Sequence, residues 1–204
     1  MDAIKVNLGC GKDAVEGWIN IDNSPKVLLA KYPFLKWILF KVGIISEEVY
    51  KEKWSRDIKR HDVRKGLHFD NNSVDCIYCS HLLEHLAREE AKNLCQEAYR
   101  VLKPKGIFRV VVPDLKLAAQ KYVEGDDSFF ENESGPIADQ FMSYNMFHDF
   151  HKWAYDSESL KYLLEEAGFD KSKIYECDYR RGNCPDLEKI EHKKKRSIYV
   201  EAIK

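Results

Sequence analysis

Only five residues, Lys12 to Glu16, lie between a glycine turn and the next β-rich run near the N-terminus. That spacing constrains the fold more than any other feature of the chain. The first run, Ile4-Lys5-Val6-Asn7-Leu8, is apolar and ends in Gly9-Cys10-Gly11. The second, Gly17-Trp18-Ile19-Asn20-Ile21-Asp22, closes on an acid that Asn23 follows. A buried strand, a glycine turn and a second strand ending in a carboxylate is how an α/β sheet holds a nucleoside. The glycines let the backbone approach a ligand where a Cβ would block it, and the carboxylate can accept from both hydroxyls of a ribose. Gly9 to Ala14 also satisfies the loose G-x-G-x-x-A form of a dinucleotide fingerprint. Against that version, a parallel crossover usually takes a dozen or more residues, and a pyrophosphate wants a full helix N-terminus. A nicotinamide-dependent oxidoreductase is therefore disfavoured, and a structural strand-turn-strand with no ligand is the plain alternative.

The remaining pattern alternates strands with helices. Ser73 to Ser80 reads as a buried central strand announced by the turn Asp70-Asn71-Asn72. From Glu84 to Lys103, Ala87, Ala91, Leu94, Ala98 and Val101 recur at helical spacing. Pro104 and Gly106 stop that helix, and Ile107 to Val112 is the next strand. Asp114 can cap a helix that Gly125 ends, Pro136 to Phe147 reads as another, and Asp156 or Ser157 starts one with Leu160, Leu163, Leu164 and Ala167 inward. Lys173 to Tyr179 and Ser197 to Ile203 are the last strands. The expected fold is α/β, a Rossmann-like mostly parallel sheet with helices on both faces and an antiparallel C-terminal edge strand. A single domain is expected over 1–204, with an insertion at about 24–60.

That insertion is unusual. Leu28, Leu29, Tyr32, Phe34, Leu35, Trp37, Ile38, Leu39 and Phe40 crowd together within 27–45, interrupted by Lys31, Lys36 and Lys41, and Pro33 disturbs a continuous helix. The segment is too charged to span a membrane. It reads as a lid, a packed insertion or an interfacial anchor at a membrane surface, the first two being favoured. Glu47 to Arg60 is charged and reads as helical.

Composition excludes several classes. Thirty-three basic and 34 acidic residues leave a formal charge of −1, so no global field draws nucleic acid, and the run His192 to Arg196 reads as a solvated loop. The six cysteines fit free thiols in a reducing cytoplasm. Cys76 and Cys79 point to opposite faces of a strand, which argues against a metal or redox pair.

Taken together, the chain resembles the class I S-adenosylmethionine-dependent methyltransferases, in particular small single-domain ones of glycan and cell-surface polysaccharide biosynthesis. Val6 to Gly11 resembles the first motif, whose turn passes under the methionine part of the cofactor. Asp22 matches the acid that holds the ribose, and Asp62-Val63 the acid and apolar contact for adenine. Leu67 to Asp75 is similar to the family's L-P-F-x-D-x-S-F-D stretch, with His68, Asn71 and Val74 as departures. Cys79 to Leu86 and Arg100 to Gly106 complete the pattern. Asp13 stands where the family often has a third glycine. The resemblance implies S-adenosyl-L-methionine as cofactor, bound by Asn7, Gly9, Cys10, Gly11, Asp22, Asn23, Asp62, Val63 and Ser80.

Methyl transfer from a sulfonium needs alignment and exclusion of water, with a general base if the nucleophile is a hydroxyl. The candidates are His81, His85, His148 and His151, each of which can equally be a structural histidine. His81 to His85 also spells H-x-x-E-H, the inverse zinc-peptidase motif. The first histidine falls at a strand end and no partner motif is evident, so no metal is expected. The expected acceptor is a small hydroxylated molecule or glycan, one that can be lipid-linked, in which case 27–45 would touch the membrane surface. Trp37, Trp153 and Tyr155 could stack on a sugar. A non-catalytic cofactor-binding module is the remaining alternative.

Overall fold

A computed structural model of the chain describes residues 3–130, 134–146, 150–194 and 196–204. The strands are β1 (Lys5–Leu8), β2 (Ile19–Asp22), β3 (Lys59–Arg60), β4 (Val74–Ser80), β5 (Leu102–Pro113), β6 (Ile174–Cys177) and β7 (Ser197–Ile203). The helices are α1 (Lys26–Lys31), α2 (Pro33–Lys41), α3 (Glu47–Lys51), α4 (Arg88–Val101), α5 (Leu115–Glu124), α6 (Ile137–Met146), α7 (Ser157–Glu166) and the one-turn α8 (Leu187–Ile190). All seven strands form one sheet in the order β3-β2-β1-β4-β5-β7-β6. Strands β1 to β5 pair in parallel, and β7 is antiparallel to both of its neighbours. The C-terminal antiparallel strand therefore lies one position in from the sheet margin, with β6 outside it.

Strands β1 and β2 are parallel although only residues 9–18 connect them, and no helix forms there. The side chain of Asn20 does the work of the missing helix. It accepts from Val15 N and from Asn7 Nδ2 and donates to the carbonyls of Val15 and Trp18. A buried amide thus satisfies backbone groups that a crossover helix would have satisfied internally.

One sheet face is covered by α4 and α7. Ala91, Leu94, Cys95 and Ala98 with Leu160, Leu163 and Leu164 pack on Leu8, Ile77, Cys79, Phe108 and Val110. Helix α4 begins at Arg88, four residues later than its apolar spacing suggests, because Leu83–His85 is a separate turn of 3₁₀ helix and Glu90 reaches back to the amide of Ala87. The other face is covered by the crossover and by 178–192, whose Cys184, Leu187 and Ile190 meet Trp18, Cys76, Tyr78, Val111 and Tyr199. Among the described residues, the helix that packs in this cluster is α8. Cys76 and Cys79 fall on opposite faces as expected, and all six cysteines are free.

Segment 178–192 is held to the sheet by a buried ion cluster. Arg109, fully buried on β5, donates to both carboxylate oxygens of Glu191, to Glu201 and to the carbonyls of Asp178 and Arg181. Both glutamates are 0% exposed. Burial works against the charge of Arg109, but Glu191 and Glu201 outweigh it and hold the guanidinium firmly protonated.

The insertion at 24–60 is packed only at its base, where Val27 and Ile58 are fully buried with Cys10. Its helical part is shorter than expected: α3 stops at Lys51, and the chain then runs extended into β3. Pro33 separates α1 from α2 by taking the first-turn position of α2. Helix α2 has no fully buried residue, and its Phe40 stacks on Tyr50 of α3 with ring centroids 4.4 Å apart. Among the described residues no helix is long and apolar enough to cross a membrane.

Candidate functional site

The carboxyl ends of β1, β2 and β4 meet at the glycine turn. Gly9 N and Cys10 N both donate to the carbonyl of Ile21, which folds the turn back over β2. Gly9 sits at φ +66°, and a Cβ there would stand 3.1 Å from Leu82. Glycine is thus required on two counts, by the left-handed backbone and by the close approach of the segment after β4. Gly11 donates to one oxygen of Asp22 at 2.9 Å, and Ser24 N to the other at 2.7 Å. The carboxylate locks turn to strand and keeps further lone pairs for a ligand.

Two clefts open on either side of Gly9. One, of about 250 Å³, is lined by Asp22, Asn23, Asp62, Val63, Leu82 and His85 among others. The second, of about 320 Å³, is lined by Asn7, Cys10, Gly11, Tyr78, Ser80 and His81, with Trp54 and His192 on its outer walls. The nine residues expected to bind a cofactor therefore divide between two adjoining hollows.

Their environments differ. Asp62 caps the turn at Arg64 N and takes a two-pronged ion pair from the Arg64 side chain, at 2.9 and 2.7 Å. Hydrogen bonding from Arg64 holds its carboxyl down to about 2. Asn7 is buried and bonded to Asn20, so it shapes the floor more than it presents a free amide. Burial, and then the Asp22 charge, push the Cys10 thiol up to about 12, so it is no nucleophile at neutral pH.

Three of the four candidate histidines gather around one buried acid. His81 adopts a left-handed conformation, φ +51°, as the chain leaves β4. Its Nε2 is 3.1 Å from Ser197 Oγ and its Nδ1 is 3.2 Å from Glu84 Oε1. The His85 and His151 rings meet edge to face with centroids 4.8 Å apart. Burial pushes the pKa of His151 below the usual histidine value. His148 lies outside the described residues. Among the proposed sugar-stacking aromatics, Tyr155 is 1% exposed and belongs to the core, whereas Trp37 and Trp153 are each 45% exposed.

Sequence reasoning missed several wall residues: Leu82 beside Gly9, Tyr78 on β4, Trp54 from the insertion, and Ile190 to Lys193. It also passed over Glu84, although the H-x-x-E-H spacing flags it. The carboxylate is 1% exposed and its position depends on the turn after β4, which apolar spacing assigns to α4.

Residues 42–110 match a family model described as a methyltransferase domain. No curated protein matches the chain. Among solved structures, an S-adenosylmethionine-dependent methyltransferase from Thermotoga maritima, described as a possible histamine N-methyltransferase, is similar at a TM-score of 0.54 and 14% identity, over 100% of this chain and 83% of that one. Another, from Archaeoglobus fulgidus, is similar at 0.51 and 16% identity, over 99% and 86%. The matched domain makes the protein an enzyme of methyl transfer, and its fold is the Rossmann-like one of methyltransferases that use S-adenosylmethionine.

Proposed function

We propose that this enzyme takes its methyl group from S-adenosylmethionine and transfers it to a hydroxyl of a small or saccharide acceptor. The observation that carries the reading is the pair of clefts joined at Gly9, with Asp22 and Asp62 both on one side. The nucleoside occupies the Asp22–Asp62 cleft, with ribose on the first carboxylate and the adenine amino group toward the second. The methionine end reaches across the glycine turn toward Ser80 and His81. When bound, the cofactor supplies an electrophilic methyl group on a sulfonium, which leaves as a neutral thioether. The chain's task is to align the acceptor, exclude water and take the hydroxyl proton.

The resemblance to enzymes of glycan modification supports an oxygen acceptor, and the exposed Trp153 side chain suits a sugar ring. The formal charge of −1 gives no general attraction for nucleic acid. Helix α2 supports a lipid-linked acceptor: Phe34 is 73% exposed and Trp37 45%, and lysines 31 and 41 flank them. Aromatic and lysine side chains on one protruding element match the interface of an anionic bilayer. The reading places the protein at the cytoplasmic side of such a surface. The test is calorimetry with S-adenosylmethionine and its demethylated product, followed by labelled-methyl transfer to a panel of glycans and small alcohols. Binding of both nucleosides and label in an ether product is expected. Absence of nucleoside binding overturns the reading, and label on nitrogen overturns the choice of acceptor atom.

A further inference from the structure

A carboxylate with almost no access to water is ordinarily paired, hydrogen-bonded or bound to a metal. Glu84 is 1% exposed, and among the described residues neither of its oxygens has a hydrogen-bond partner. His81 Nδ1 approaches Oε1 at 3.2 Å without meeting hydrogen-bond geometry. The Glu84 backbone is fixed, because its carbonyl accepts from Lys152 N and Trp153 N, which ties the turn after β4 to the segment carrying His151.

The two neighbouring histidines share a feature. His85 Nδ1 lies 3.2 Å from the carbonyl of Phe150, and His151 Nδ1 lies 3.1 Å from that of Asn145. A carbonyl only accepts, so each Nδ1 carries its ring proton and each Nε2 is left with the lone pair. This is how metal-binding imidazoles are oriented from behind. One ligand atom from each of Glu84, His85 and His151 lies within 4.8 Å of the others. Ligands at about 2.0–2.2 Å from a transition metal stand about 3–3.5 Å apart, so closing the site takes side-chain shifts of about 1 Å. Beside Glu84 and His151 is a cavity of about 10 Å³, also lined by Tyr155, whose hydroxyl has no partner among the described residues. That is close to the room one water-sized species needs.

We propose that Glu84, His85 and His151 bind one divalent transition-metal cation. Two imidazoles and a carboxylate suit zinc, manganese, iron or cobalt better than calcium or magnesium, and three protein ligands leave positions open. His85 borders the Asp22–Asp62 cleft and His81 the cleft across Gly9, so a cation on Glu84 sits beside both. Resting on the methyl-transfer reading, its role is to bind the acceptor hydroxyl and ease loss of its proton. The hydroxyl proton passes to water in the open cleft, the C–O bond forms as the C–S bond breaks, and sulfur leaves with the bonding pair as a neutral thioether.

The test uses the full chain, stripped with a chelator and titrated with zinc, manganese and cobalt by calorimetry, with cobalt binding followed by its visible absorption. One equivalent is expected to bind the wild type. Glu84→Gln, His85→Ala and His151→Ala should each weaken binding by at least the roughly 10–100-fold that outer-shell partners of metal sites are worth. Half-exposed His85 can be changed without emptying the core, so its variant stays informative should Glu84→Gln fold poorly. No uptake, or uptake that all three variants retain, overturns the proposal and leaves the cavity to water. Metal uptake without S-adenosylmethionine binding sinks the methyl-transfer reading and leaves the site standing. Methyl transfer at full rate by metal-free protein overturns the cation's role at the acceptor hydroxyl and leaves the methyl-transfer reading standing.

Discussion

Replacing Arg109 with methionine tests how one wall of the 320 Å³ cleft is held. The guanidinium makes five hydrogen bonds, two to Glu191, one to Glu201 and two to the carbonyls of Asp178 and Arg181. Methionine keeps much of the volume and removes the charge and every donor. Two carboxylates at 0% exposure then lose their cation. Breaking a buried ion pair by removing one partner costs about 3–5 kcal/mol, and two stranded acids put this site toward the upper end. For a chain of 204 residues, each kcal/mol lowers the Tm by roughly 2–4 °C, so a fall of roughly 6–20 °C is expected by calorimetry. Changing all three residues to apolar ones should not restore stability. Glu191 also accepts from Arg180 N, and Glu201 from the amides of Asn183 and Cys184, so three backbone donors, that of buried Cys184 among them, would lose their acceptors. Ile190, His192 and Lys193 line the 320 Å³ cleft directly beyond this anchor. Cofactor affinity measured well below the Tm should therefore fall as well. A Tm change under about 2 °C would refute the reasoning, since the cluster would then contribute no more than an exposed pair.

Three further outcomes follow from the site. Asp22→Ala removes the acceptor of Gly11 N and Ser24 N as well as the proposed ribose contact, and calorimetry should show S-adenosylmethionine binding weakened by about 1.5–3 kcal/mol; unchanged affinity would place the ribose elsewhere. The depressed Asp62 carboxyl stabilises the fold above its ordinary range, and this contribution is lost as pH falls toward 2. The stability gap between wild type and Asp62→Asn should therefore be largest above about pH 5 and close in acid, as denaturant melts across pH would show; a gap that widens in acid contradicts the sign. Co-sedimentation with anionic vesicles should be lost in Phe34→Asp/Trp37→Asp while the Tm hardly moves, because both side chains are exposed; wild-type protein left in the supernatant removes the membrane contact.

Much of the fold was legible because its signals are local. Asp114 and Asp156 cap α5 and α7 as their positions suggest, and Gly125 takes the left-handed conformation that ends α5. The inward stripe of α7 follows from spacing alone, with Leu160, Leu163 and Leu164 all fully buried. What local pattern does not carry is what two distant segments do together. Nothing in the local pattern marks Arg109, Glu191 and Glu201 as partners until β5, β7 and 178–192 converge. Glu84 looked like the start of a helix, whereas the extended backbone at Leu86 and Ala87 sets its 3₁₀ turn apart from α4. At the tip of the insertion the apolar crowding translates into partial cover only: α2 buries no residue fully, and Phe40 stacks on Tyr50 of the insertion's own α3.

The short crossover explains why the site is built as it is. In a sheet of this kind a full helix after β1 would cover the face that carries Tyr78 and Trp18. Here Asn20 closes the crossover within residues 9–18, and that face is left for 178–193 to cover. The same economy leaves the carboxyl ends of β1 and β4 open toward Trp54 and His192, so one wall of the 320 Å³ cleft comes from the insertion and the other from the last third of the chain. Polar anchors stand here in place of helix packing: Asn20 beneath the crossover, Arg109 beneath 178–192. A buried polar anchor fixes one geometry and loses most of its value when one partner is removed. The 320 Å³ cleft is consequently the part of the site most exposed to single substitutions far from any ligand, whereas the Asp22–Asp62 side rests on hydrogen bonds within β2 and the two turns beside it.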